Sequence, residues 1–187
     1  MKTVSFSAMK AGTAEDYLFL EECDRRFTAD QPARIIDLLR QQENSFTGYK
    51  IDRLQHALQT ATRALRDGAS EEWITAALLH DIGDGVAAHS HGEFAAAILR
   101  PYLSDEILWT VKYHPIIQEY FYVHHLGRSP NRRDRLRSSP YYAAALNFCE
   151  RWDQASFDPD YETLPLASFE QTLWNVLGRP PHPYPED

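Results

Sequence analysis

The stretch Trp73-Ile74-Thr75-Ala76-Ala77-Leu78-Leu79-His80-Asp81-Ile82-Gly83-Asp84-Gly85 runs from an apolar segment into an adjacent imidazole and carboxylate, and then into two glycines. An apolar run with no polar face reads as a helix buried on all sides. Ser70 supplies its amino-terminal cap, Glu71 and Glu72 lie where the helix dipole favours acids, and Gly83 and Gly85 stop it. A His-Asp pair at the buried end of such a helix is costly to leave unpaired, and the usual compensation is a cation.

Further His and Asp residues flank this stretch. His56 precedes it, His89, His91 and His114 follow, and Asp153 lies in Glu150-Arg151-Trp152-Asp153. Spread over several helices, they converge only in a fold that points helix faces at a common centre. The expected fold is therefore all-α, a helical bundle around a metal site. Neutral imidazoles bind a borderline divalent ion without cancelling its charge, and a carboxylate can bridge two ions.

Periodicity supports the same class. Thr13 and Asp16 begin a helix with Tyr17, Leu18, Leu20 and Phe27 on its apolar stripe, and a second runs from about Ala33 to Leu39. Both read as scaffold. Ile51, Leu54, Leu58, Ala61 and Leu65 repeat at helical spacing up to Gly68, with His56 off the centre of the stripe. Helices are also expected from Gly92 to Pro101, from Ser104 to His114 with Pro115 just beyond, from Ser139-Pro140 to Asp153, and from Leu166 to Leu177. His91 and His114 then fall at helix ends. Arg128 to Arg137 reads as a loop, either a solvated excursion or an anion-attracting lid. No strand pattern is present.

In order and spacing, His56, His80-Asp81 and Asp153 resemble the HD superfamily, and His91 and His114 fall where its two-metal members have two further histidines. Leu54-Gln55-His56-Ala57-Leu58-Gln59-Thr60-Ala61, Ala76-Ala77-Leu78-Leu79-His80-Asp81-Ile82-Gly83 and Arg151-Trp152-Asp153 are most similar to its phosphonate-degrading diiron oxygenases, relatives of myo-inositol oxygenase. The resemblance implies a single HD-type domain over 1–187, with an N-terminal helical scaffold at 1–45, a metal-binding core at 46–158, and a C-terminal helix and tail at 159–187. It also implies two ions, Fe(II)/Fe(III) with Mn or Zn as alternatives. One would be held by His56, His80, Asp81 and Asp153, and the other by His91 and His114 with Asp81 shared. Asp81, His91 and His114 would be the catalytic residues, and open positions on the second ion would take oxygen or a chelating substrate. His89 competes with His91 as ligand; His91 is preferred because Glu93 follows it, as in those oxygenases, leaving His89 on the substrate side.

Departures from the pattern bear on the substrate. Where those oxygenases carry bases for a phosphonate, this chain has Gln118 and Glu150; where some carry a further His, it has Asp84. Their Tyr and Glu ahead of the first ligand correspond to Phe46 and Tyr49. Tyr49, Asp84, His89, Gln118, Glu150 and Arg151 are thus substrate-binding candidates, and a polyol or an amine-bearing small molecule fits them better than a phosphonate. The alternatives are an HD-type phosphohydrolase of nucleotides or phosphomonoesters, and a metal-stabilised binding protein without catalysis.

Composition sets the outer bounds. A chain of 187 residues is long enough for one buried core. A formal net charge of -8 argues against nucleic acid as a partner. Cys23 and Cys149 form no disulfide framework, the amino terminus lacks the pattern of a secretory signal, and no apolar run approaches the roughly 20 residues that span a bilayer. The expectation is a cytoplasmic enzyme with a small-molecule substrate and O2, of undetermined oligomeric state.

Overall fold

Two helices crossing behind the His-Asp pair organise the structure. In the computed structural model, which describes residues 2–45 and 48–183, the helix Arg53–Arg66 (α3 in chain order) packs along the helix Glu71–Leu79 (α4). Asp52 caps α3 by accepting from the Gln55 amide, and Ser70 caps α4 by accepting from the Trp73 amide. Every α4 residue from Ile74 to Leu79 is buried, as its unbroken apolar character requires.

Around this pair lie α1 (Ala14–Ala29), α2 (Gln31–Arg40), α5 (His91–Leu99), α6 (Asp105–Gln118), α7 (Tyr142–Phe148) and α8 (Ala167–Leu177). A π-helical turn, Cys149–Asp153, continues α7. The described residues contain no strand, so the fold is all-α. Ile36, Leu39, Leu58, Leu78, Leu99, Val111, Phe148 and Leu173 belong to one hydrophobic core shared by α2 through α8.

Two glycines set the approach of α5 to its neighbours. A Cβ on Gly92 would lie 2.8 Å from the Lys112 carbonyl oxygen and 2.9 Å from that of Val111, so α5 can lie this close to α6 only with glycine there. A Cβ on Gly83 would meet the His91 Cα at 3.0 Å. Together they bring the start of α5 up to the end of α4 and the middle of α6.

Four expectations need correction. α1 has the expected capping box of Thr13 and Asp16, but it buries no residue; Leu18 and Phe27 are 67% and 65% exposed, so it adds nothing to the core. Leu65 is exposed at the end of the α3 stripe. His114 does not end its helix, because α6 continues through Pro115 to Gln118. Finally, Arg128 to Arg137 is not an open loop. Pro130–Leu136 is a 3-10 helix packed against the turn Glu119–Phe121, with Arg132 paired to Glu119 at 2.6 Å and the Arg133 guanidinium 3.3 Å above the Tyr120 ring.

Candidate metal centre

Four imidazoles and two carboxylates converge between α3, α4, α5, α6 and the π turn. His56 comes from α3, and His80 caps the carboxyl end of α4 with Asp81 beside it. His91 opens α5, His114 sits in α6, and Asp153 ends the π turn. The wider ring of that turn moves Asp153 off the register of a regular helix, a distortion common at functional sites.

Each ring is fixed from behind by an acceptor. His56 Nδ1 donates to the Ser156 carbonyl at 2.8 Å, His80 Nδ1 to that of Ala77 at 2.8 Å, and His114 Nδ1 to that of Val111 at 2.7 Å. The last bond depends on Pro115: with no N–H to give, proline leaves the Val111 carbonyl free inside the helix, and the imidazole takes it. His91 Nδ1 lies 3.2 Å from Asp84 Oδ1, a carboxylate in the orienting position usual for metal-binding histidines. Carbonyl and carboxylate oxygens accept only, so Nδ1 carries the proton in each ring and Nε2 points inward as a potential ligand.

The inward atoms meet around Asp81. Its Oδ1 lies 3.0 Å from His114 Nε2 and 3.4 Å from His91 Nε2, while its Oδ2 lies 3.5 Å from both His56 Nε2 and His80 Nε2. Each oxygen of one carboxylate thus faces a different pair of imidazoles. Asp153 Oδ1 stands 3.4 Å from His56 Nε2 and accepts a hydrogen bond from Gln118 Nε2 at 3.0 Å. The triads His56-His80-Asp81 and Asp81-His91-His114 each bring one ligand atom per residue within metal-binding reach, as does His80-His114-Asp153.

Two features fit these residues to cations. Asp153 Oδ2 is buried with no hydrogen-bond partner, a costly orphan unless a cation meets it. His56 Nε2 and His80 Nε2 face each other at 3.1 Å, which sets two lone pairs in repulsion unless a proton or an ion lies between them. Protonation follows the same logic. Burial pushes His56 and His80 toward neutrality, but Asp153 and Asp81 outweigh it and hold both above the ordinary imidazole range. Burial would raise Asp81 and Asp153, yet the surrounding imidazoles hold both below the ordinary carboxylate range. Protons here occupy places that suit metal ions.

A cavity of ≈ 180 Å³ opens onto His56, Asp81, His91, His114 and Asp153. Tyr49, Asp84 and Gln118 line it, three of the substrate-binding candidates. His89 is exposed and faces a separate cavity with Glu93, Lys112 and Arg132. Glu150 and Arg151 do not line the metal cavity; Arg151 points elsewhere, its guanidinium 2.8 Å from Asp67. The arginines of 128–137 do not line it either. Phe46 lies outside the described residues. Cys149 is buried in the core, and burial pushes its thiol well above the ordinary range, which keeps it in the neutral thiol form.

Tyr122, which the sequence offers as a substrate-side candidate with Tyr120, His124 and His125, lines the metal cavity, whereas sequence reasoning passed over Arg53 and Phe157. Arg53 Nη2 lies 2.8 Å from Asp84 Oδ2 and its Nη1 lies 3.5 Å from Asp81 Oδ2, so its charge is balanced within the site. It precedes His56 by three residues on α3, and that spacing, which places two side chains on one helix face, was the available signal. Phe157 stacks on His56 with ring centroids 4.4 Å apart, a contact made in the chain after Asp153 that no local pattern announces.

Residues 53–144 match the family described as HD domain. Over 92 residues the chain is 32% identical to the "[1-hydroxy-2-(trimethylamino)ethyl]phosphonate dioxygenase (glycine-betaine-forming)" of Leisingera caerulea, a match covering 43% of this chain and 47% of that relative. The matched part is thus about half the length of the relative. No helix of the described residues is long and apolar enough to cross a membrane.

Proposed function

Since residues 53–144 form an HD domain, we propose that this chain is a metal-dependent enzyme with a dinuclear iron centre that oxidises a small hydroxylated substrate with O2. One observation carries the reading: the two oxygens of Asp81 face different histidine pairs, the arrangement a bridging carboxylate needs. The similarity to a dioxygenase supports oxygen chemistry over hydrolysis.

In this reading His56, His80, Asp81 and Asp153 hold one ion, and Asp81, His91 and His114 hold the other. Bound there, iron supplies Lewis acidity and one-electron redox chemistry, while manganese or zinc supplies only the first. The chain's own groups orient and position. Gln118 aims Asp153, the Asp84 carboxylate holds the His91 ring, and Arg53 fixes Asp84. Phe157 and Tyr49 wall one side of the cavity with packed rings whose centroids are 4.9 Å apart. Arg53 is already matched by Asp84 and Asp81, and Gln118 is neutral, so beyond the ions themselves the side chains of the cavity offer no surplus positive charge to a phosphonate dianion. A neutral polyol or an amino alcohol fits this balance, with Asp84, Gln118 and Tyr122 available to its hydroxyl or amine groups.

The test is oxygen uptake by iron-loaded protein across polyols, amino alcohols and phosphonates, set against phosphate release from nucleotides and phosphomonoesters by manganese- or zinc-loaded protein under nitrogen. Substrate-dependent oxygen consumption supports the proposal. Anaerobic phosphate release with no oxygen uptake replaces it with a phosphohydrolase.

A further inference from the structure

A second and larger cavity of ≈ 540 Å³ lies against the metal cavity. Arg53, Asp84 and His91 line both, so the Arg53–Asp84 ion pair and the His91 ring form the partition between them. Beyond that partition Leu38 of α2, Ile82 after the His-Asp pair, and Val86 and Ala88 in the turn before α5 form the aliphatic part of the wall, and Gln41, Gln42 and Ser45 the polar part.

Gln42, which lines the same cavity, gives it a polar point. Its residue is only 8% exposed, and its Nε2 donates to the Asp81 carbonyl at 2.9 Å. That carbonyl can only accept, so the amide group must present its NH2 there and its oxygen on the other side. Gln42 Oε1 is buried with no hydrogen-bond partner. A buried acceptor of this kind costs about 1–3 kcal/mol unless a donor reaches it, and the residue that carries it lines the cavity next to the metal centre.

Size points the same way. Small-molecule sites commonly occupy about 300–1,000 Å³; the metal cavity alone falls below that range, and the two cavities joined fall within it. We propose that the larger cavity is the tail subsite of the substrate. The hydroxyl-bearing reacting end occupies the metal cavity, an aliphatic segment passes the Arg53–Asp84 partition to lie against Leu38, Ile82 and Val86, and an O–H or N–H on that segment donates to Gln42 Oε1. The substrate class is then an amphiphilic, mid-chain aliphatic polyol or amino alcohol rather than a compact sugar-like polyol. This inference rests on the reading that the metal centre binds the substrate's hydroxyl end.

The experiment is anaerobic titration calorimetry with probes that cannot turn over. For iron-loaded wild type, the 1,2-alkanediols from propanediol to octanediol should bind more tightly with each methylene, by up to about four-fold per group, the value of one fully buried CH2. In Val86→Trp, which fills the cavity from a position remote from the ligand atoms, the series should flatten while 1,2-propanediol keeps its Kd. 1,2,6-Hexanetriol should bind at least as well as 1,2-hexanediol to wild type, and the triol-to-diol ratio should fall about five-fold in Gln42→Leu, the loss of one hydrogen bond; metal content is read in the same samples. A parallel series of 1-alkanols on metal-free protein separates the two claims. If the alkanols gain with length and Val86→Trp abolishes the gain, yet no diol perturbs the iron spectrum, the tail subsite stands and the chelation reading fails. If neither series depends on chain length, the proposal is overturned, even where short diols do perturb the iron.

Discussion

The two sides of the Asp81 carboxylate sit in different surroundings. On the Oδ2 side His56, His80 and Asp153 are buried, none more than 2% exposed, and are held by the Ser156 and Ala77 carbonyls and by Gln118. On the Oδ1 side His114 is buried, but the His91 side chain is 20% exposed and is oriented by Asp84 and Arg53, charged groups that themselves line open cavities. The difference teaches a division of labour: the inner half is built like core, and the outer half has room for a ligand that is not protein.

The sharpest way to break this comparison is to remove the group common to both halves. Asp81→Ala should lose both ions, since each oxygen serves one half; two ions retained in metal analysis would sink the assignment. His91→Ala should divide the halves, keeping one ion and losing substrate-dependent oxygen uptake by at least about 100-fold. Asp84→Asn keeps the shape but removes the carboxylate behind His91. It should weaken the outer ion by about 10- to 100-fold and leave the inner ion alone, as competition with a chelator of known affinity would show.

Acidity sharpens the comparison further. His56 and His80 have raised pKa values in the metal-free protein, so their stabilising protons are fully present below the ordinary imidazole value of 6.5 and are lost as pH rises through the folded values. Metal-free protein should therefore lose stability as pH climbs above neutrality. Inner-site metal uptake should strengthen over the same rise, releasing up to about two protons, because those protons compete with the ion. Thermal melts of both forms and proton release in weak buffer measure this. At the small end, Arg151→Ala removes an exposed pair with Asp67 and should cost no more than about 0.5 kcal/mol, with metal content unchanged.

Much of the inner half was legible in the sequence because its signals are local. The apolar run ending in His80-Asp81 says both where α4 lies and that its end is buried, and the α3 stripe places His56 against it. The outer half depends on contacts between distant segments. Pro115 reads as a helix end, yet α6 absorbs it because His114 takes the carbonyl that proline leaves unpaired. Arg53 sits at helical spacing from His56, but its role appears only when Asp84 comes to meet it. The arginines of 128–137 resemble a lid until their partners Glu119 and Tyr120 are known. α1 has every local mark of a scaffold helix and buries nothing, because amphipathicity says which face would be covered and not whether anything covers it.

The most direct test of the central claim, two ions bridged by Asp81, is Mössbauer spectroscopy of iron-loaded protein prepared under nitrogen. A spin-coupled iron pair is the predicted result. A spectrum of isolated ferrous ions, unchanged by Asp81→Ala, would contradict it.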